Sequence, residues 1–231
     1  MSSTMNTDTP STSRPVPSEL LRAHPVIAVL RAGHASEYAP VVEALIRGGV
    51  TSIELTLSTA GVFAEMPALV SRFAGGAEIG VGTITSEDEA EQALDCGAQF
   101  LVTPAMSAGV VDAAVRRNVP VFPGGFTPTE LLTGWSAGAT AVKLFPASVV
   151  GKGYLAHLRG PFPGMQVIPS GGVSIEDAPA WIGAGALAVS LGGPLIGDAF
   201  AGGSLEALTE RARRASALVA EAAAAVPGGA L

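Results

Sequence analysis

The chain contains two lysines, Lys143 and Lys152. Lys143 stands inside an apolar run, AVKLF, that reads as a buried strand. Burying an ammonium is costly unless it is paired or neutralised. Glu54 stands in a comparable run, TSIELTL. Each follows a glycine by five residues, Gly49 before Glu54 and Gly138 before Lys143. Equivalent places in a repeat put the two side chains in one layer, where a long base and a long acid can meet. Apolar surroundings favour a lysine's free amine over its ammonium. A free amine attacks a ketone to form a Schiff base, and the iminium withdraws electrons from the neighbouring carbons. A nearby carboxylate can shuttle the protons. The alternative is a purely structural Lys–Glu pair. Lys152, in the glycine-bracketed loop VVGKG, reads as solvated.

The elements that must position this pair are legible as an alternation. Short apolar runs begin near residues 26, 51, 77, 99, 119, 140, 165 and 186. Between them lie helical patterns such as SEYAPVVEALIRGG, SEDEAEQALDCG and TPTELLTGWSAG, which open on Ser or Thr followed by Glu and close on Gly. Four units share a glycine just before a strand, at Gly49, Gly97, Gly138 and Gly185. The spacing predicts a helix ending on a left-handed glycine, a short turn, and a buried strand. Eight strands alternating with helices predict a single-domain α/β fold, a (β/α)8 TIM barrel over residues 20–225. Residues 203–225 form its terminal helix, after a disordered tail over 1–19 and before a frayed end over 226–231. A doubly wound open sheet is the alternative, disfavoured because no GxGxxG follows the first strand.

In such a barrel the carboxyl ends of the strands form the active face. The residues there include Arg31, suited to clamping a carboxylate bidentately, and Thr83, a hydroxyl donor. Pro104 and Phe145 end two further strands. Ser170-Gly171-Gly172 and Gly192-Gly193 follow the last two, where barrels often bind phosphate through backbone N–H groups.

Composition narrows the classes. The net charge is −7 and no arginine run appears, so nucleic acid is not an expected partner. No apolar stretch is long and uninterrupted enough to span a bilayer. Cys96 is the single cysteine, which excludes an intrachain disulfide and fits a reducing compartment. The expected location is the cytoplasm. His24, His34 and His157 show no metal-ligand spacing, and no metal or other cofactor is expected.

The motifs AVLRAG, GGVTSIELTLST, IGVGTITS, GAQFLVTPA, PGGFTPTE, AVKLFPA, GPFPGMQVIPSGGVS and GALAVSLGG, in this order, resemble the class I 2-keto-3-deoxy-6-phosphogluconate (KDPG) and 4-hydroxy-2-oxoglutarate (KHG) aldolase family. The resemblance covers nearly the whole barrel. It implies a metal-independent homotrimer that releases pyruvate and an aldehyde from a small 2-oxo acid, with a phosphorylated substrate favoured. It makes Lys143 the Schiff-base lysine and Glu54 the general acid/base. It gives Arg31 and Thr83 the pyruvate carboxylate, Pro104 and Phe145 the apolar wall, and Ser170, Gly171, Gly172, Gly192 and Gly193 the phosphate or distal pocket. Three positions depart from the pattern. Ser58 stands where some members carry arginine, Ser170 where many carry threonine, and Gly193 where many carry a phosphate-contacting serine. Two other readings remain: a phosphate-binding barrel of another class, such as an isomerase or a thiamine-phosphate-synthase-like transferase, and a non-catalytic binding barrel.

Overall fold

A computed structural model describes residues 14–226. The strands are β1 (Val26–Leu30), β2 (Ser52–Thr56), β3 (Glu78–Gly82), β4 (Leu101–Val102), β5 (Val121–Phe122), β6 (Gly124–Gly125), β7 (Val142–Leu144), β8 (Val167–Pro169) and β9 (Val189–Leu191). The order β5-β4-β3-β2-β1-β9 forms one parallel arc and β6-β7-β8 a second. β5 and β6 are two halves of one barrel strand, parted at Pro123, which has no N–H to donate. A parallel bridge between Ser170 and Ser190 joins β8 to β9 and closes the ring. The result is the expected eight-stranded (β/α)8 barrel.

The helices that follow these strands are α2 (Tyr38–Arg47), α3 (Val62–Phe73), α4 (Glu87–Asp95), α5 (Ala108–Arg116), α6 (Pro128–Ser136), α7 (Gly153–Arg159), α8 (Ala178–Gly183) and α9 (Gly193–Ile196), with α10 (Leu205–Ala224) last. Two expected starts have the reciprocal capping geometry, Ser86 with Glu89 and Thr127 with Glu130. The third differs: His34, not Ser36, caps the short 3-10 turn that leads into α2. Gly49, Gly97, Gly138 and Gly185 all have φ between 85° and 97°. After α2, Gly49 N–H donates to Ile46 and Val50 N–H to Leu45, at 2.9 and 3.0 Å, the paired bonds of a Schellman ending. The same pairing follows α4, α6 and α8. It also follows α5, where Asn118 takes the left-handed position at φ 53°.

Side-chain alternation along the strands divides the core into two. Outward residues such as Ile53, Val81 and Val142 pack against the helices. Inward residues, among them Ile27, Phe100, Phe122, Ala141, Ile168 and Ala188, fill the lower barrel. Gly80 makes room there, since a Cβ on it would lie 2.4 Å from the Phe100 ring. Leu21, from the short helix α1 (Glu19–Ala23), is 1 % exposed and closes this cluster from below.

The tail boundary lies earlier than the sequence suggests. Residues 14–19 are packed on the barrel: the Arg14 guanidinium lies 3.5 Å from the centroid of the Trp135 ring and donates to the carbonyls of Trp135 (2.9 Å) and Ala139. Ser18 caps α1. Residues 1–13 of the expected tail, and 227–231 of the expected frayed end, lie outside the described residues.

Glu78, at the lower end of β3, is 4 % exposed and accepts a hydrogen bond from Ser52. Burial raises its pKa, and the hydroxyl contacts offset this only in part. A carboxyl whose folded pKa is raised contributes stability below its unfolded pKa, and that contribution is lost as pH rises through the folded value. Glu78→Gln is therefore expected to raise the urea midpoint at pH 7–8, with the gain shrinking towards pH 4. Equal gains at both pH values would show that the charge is not the cause.

Candidate active site

The carboxyl ends of the strands enclose a pocket of about 280 Å³. All eleven residues singled out in the sequence line it: Glu54 and Lys143 on facing strands, Arg31, Thr83, Pro104 and Phe145 at strand ends, and Ser170, Gly171, Gly172, Gly192 and Gly193 beyond β8 and β9. Val29, Thr56, Val173, Ser190 and Pro194 line it as well. Four of them, Val29, Val173, Ser190 and Pro194, had not been singled out. For Ser190 the signal was present: a small polar residue at an inward position of the run ALAVSLG.

Lys143 Nζ lies 3.9 Å from Glu54 Oε1, with the side chains 10 % and 2 % exposed. That separation exceeds a hydrogen bond. Glu54 Oε2 is buried with no hydrogen-bond partner among the described residues. The Lys143 ammonium also lies 5.5 Å from the centroid of the Phe145 ring. Neither group is saturated by the other, so both retain capacity for a third molecule.

Neighbouring backbone makes room for this pair. A Cβ on Gly82 would stand 1.9 Å from Glu54 Oε1. Gly82→Ala must therefore displace the carboxylate. A displacement of about 1 Å at a reacting group can cost roughly 100-fold in rate, and a loss of that order in kcat/KM is expected. Wild-type turnover in this variant would mean that the position of Glu54 is unimportant.

Arg31 emerges just after β1, and its Nε donates to Ser58 Oγ at 3.0 Å. Thr56 Oγ1 lies 3.0 Å from the same oxygen and donates to the Leu30 carbonyl. Ser58 thus helps to hold the Arg31 side chain in place. Arg31 makes no ion pair among the described residues, so its terminal nitrogens are free to meet an anion. Thr83 has φ 63°. A β-branched residue in the left-handed region is strained, and such strain concentrates at functional sites.

Gly171 and Gly172 also have positive φ, and side chains there would meet Phe145 at 2.8 Å and Ser148 at 2.5 Å. Only glycine fits this turn. Gly193 offers no hydroxyl, and a Cβ built on it meets nothing within 4 Å. Lys152 is exposed and lies 3.9 Å from Asp177, as a solvated residue should. No cluster of metal-ligating side chains occurs among the described residues. No helix among them is long and apolar enough to cross a membrane.

A closed parallel barrel whose strand ends carry a buried lysine–carboxylate pair beside an unpaired arginine has the layout of a barrel enzyme acting on a small anionic molecule. The particular family follows from comparison with known proteins: residues 18–207 match the model of the KDPG and KHG aldolase family, and the chain belongs to that family. It is accordingly an aldolase, a lyase. The chain is 34 % identical over 189 residues to the 2-dehydro-3-deoxy-6-phosphogalactonate aldolase of Escherichia coli K12, covering 81 % of this chain and 91 % of that one. It is 30 % identical over 201 residues to the 2-dehydro-3-deoxy-phosphogluconate aldolase of Dickeya dadantii, covering 86 % and 94 %. Among solved structures it resembles the KDPG aldolase of Legionella pneumophila, with pyruvate captured at low pH as a covalent carbinolamine intermediate. There the TM-score is 0.78 and the identity 26 %, over 85 % of this chain and 96 % of that one.

Proposed function

We propose that this aldolase works through a Schiff base on Lys143 and cleaves a 2-keto-3-deoxy sugar acid, of the KDPG or galactonate-epimer type, or 4-hydroxy-2-oxoglutarate. The observation that carries the reading is the Lys143–Glu54 pair, buried in one pocket at 3.9 Å with capacity left on both sides. A structural ion pair would close to hydrogen-bonding distance and satisfy both carboxylate oxygens. The carbinolamine in the Legionella pneumophila relative supports the same chemistry.

The Lys143 amine attacks the C2 carbonyl and gives a carbinolamine, which loses water to form the iminium. Arg31 and Thr83 hold the carboxylate at the mouth of β1 and β3. Glu54 takes the proton of the C4 hydroxyl. The C3–C4 bonding electrons pass into the iminium, an aldehyde leaves, and an enamine remains. Protonation at C3 restores the iminium, and hydrolysis releases pyruvate and the free lysine. The aldehyde is glyceraldehyde 3-phosphate from a phosphorylated sugar acid, or glyoxylate from 4-hydroxy-2-oxoglutarate.

We also infer a cytoplasmic homotrimer. Phe145, at the pocket wall, and Val149, in the turn that follows it, are 39 % and 68 % exposed, apolar surface that a neighbouring subunit would cover. Light scattering that gives the mass of one chain would overturn the trimer. For the reaction, the test is incubation with pyruvate and borohydride followed by intact mass and site mapping. An adduct on Lys143 is the expected result. Its absence from folded protein would make Lys143 structural.

A further inference from the structure

Among the pocket hydroxyls to which the mechanism gives no task, that of Ser190 stands apart. Its neighbours Val189 and Leu191 both face the outer core, so alternation turns Ser190 inward. The residue is 4 % exposed and lines the pocket. Its Oγ has no hydrogen-bond partner among the described residues. A buried hydroxyl in that state is destabilising, and alanine would occupy the place without the penalty.

Its position in the ring says what it can meet. Ser190 is bridged to Ser170, also 4 % exposed and also lining the pocket, so two hydroxyl-bearing residues stand side by side at β8 and β9. The charged groups of the pocket, Arg31, Glu54 and Lys143, all belong to other strands. Ser170 and Ser190 lead into the Gly171-Gly172 and Gly192-Gly193 turns, where barrels often bind phosphate, so with the carboxylate assigned to Arg31 and Thr83 the half of the substrate that becomes the aldehyde falls to these two strands.

We propose that Ser190 is a specificity-determining residue whose Oγ hydrogen-bonds a hydroxyl beyond C4 on the aldehyde-derived half of the substrate. The pocket thereby selects polyhydroxylated 2-oxo acids over analogues that lack the hydroxyl. The proposal rests on the aldolase reading above. A site built to pair a substrate hydroxyl discriminates strongly against an analogue without it, because its own buried group is then left unpaired.

The test uses the synthetic direction, with pyruvate and either D-glyceraldehyde or propanal as acceptor. The two acceptors differ in intrinsic reactivity, but that difference cancels when wild type and Ser190→Ala are compared. The glyceraldehyde-to-propanal ratio of kcat/KM is expected to fall about tenfold in the variant, the worth of one hydrogen bond. The thermal midpoint of the free variant should equal or exceed that of wild type, since the deleted hydroxyl has no partner among the described residues. An unchanged ratio overturns the proposal. So does a clear drop in midpoint, which would show that the hydroxyl is engaged within the protein. Wild type that forms no borohydride-trapped adduct with pyruvate overturns the aldolase reading and this proposal with it. An adduct together with an unchanged ratio overturns the role of Ser190 alone.

Discussion

Lys143→Ala is expected to lose the borohydride-trapped pyruvate adduct entirely and to lower kcat/KM by a factor on the order of 10⁵ to 10⁶, the scale seen when an enzyme loses its covalent nucleophile. No other lysine can substitute, because Lys152 lies outside the pocket against Asp177. The variant also strands Glu54 as a buried carboxylate. Removing one member of a buried ion pair typically costs about 3–5 kcal/mol. A loss of activity could then reflect a loss of fold. Lys143→Arg separates the two causes: a guanidinium keeps the positive charge beside Glu54 yet cannot lose a proton to become a nucleophile. Its expected profile is a cooperative unfolding transition with no adduct and no turnover. Turnover at the wild-type level in Lys143→Ala would end the Schiff-base mechanism.

Glu54→Gln is expected to reduce kcat/KM by about 10²- to 10⁴-fold, the usual contribution of a general acid/base. The amide is isosteric with the carboxylate and fits the space left by Gly82, so the pocket keeps its shape. What is lost is the ability to take and return protons in carbinolamine dehydration and C–C cleavage. Adduct formation with pyruvate should slow rather than vanish, because the amine of Lys143 remains. Single-turnover trapping and steady-state cleavage, measured on the same variant, read these two effects separately. A rate within a few-fold of wild type would assign the proton transfers to another group.

Much of this architecture is written in local signals. Gly49, Gly97, Gly138 and Gly185 mark the helix ends because only a residue free to adopt positive φ permits the paired bonds that close them. Glu54 and Lys143 were legible together because a repeat that conserves strand phase also conserves which side chains point inward. The misses have equally particular causes. The helix before β5 ends on Asn118, so a search for glycine passes over it. Arg14 reads as part of a polar tail, and what orders it is a tryptophan 121 positions away. The strain at Thr83 is a backbone property that its residue type argues against. Ser190 looks like an ordinary small residue until the pocket shows that its hydroxyl has no partner among the described residues.

The packing beneath the active face has a kinetic meaning. Phe100, Phe122 and Ile168 fill the interior below Lys143, and Leu21 stoppers it from underneath, so among the described residues the pocket is a vessel whose door lies at the strand ends. Traffic through one door is ordered by depth. In the mechanism proposed above, the molecule bonded to Lys143 has to arrive before any partner that joins it from the side of the opening. By the same mechanism, the fragment nearer the opening is expected to depart first on cleavage, while the one tethered to Lys143 stays until water releases it. A helix of five residues at the opposite end of the barrel thus helps to impose a queue on a reaction it never touches.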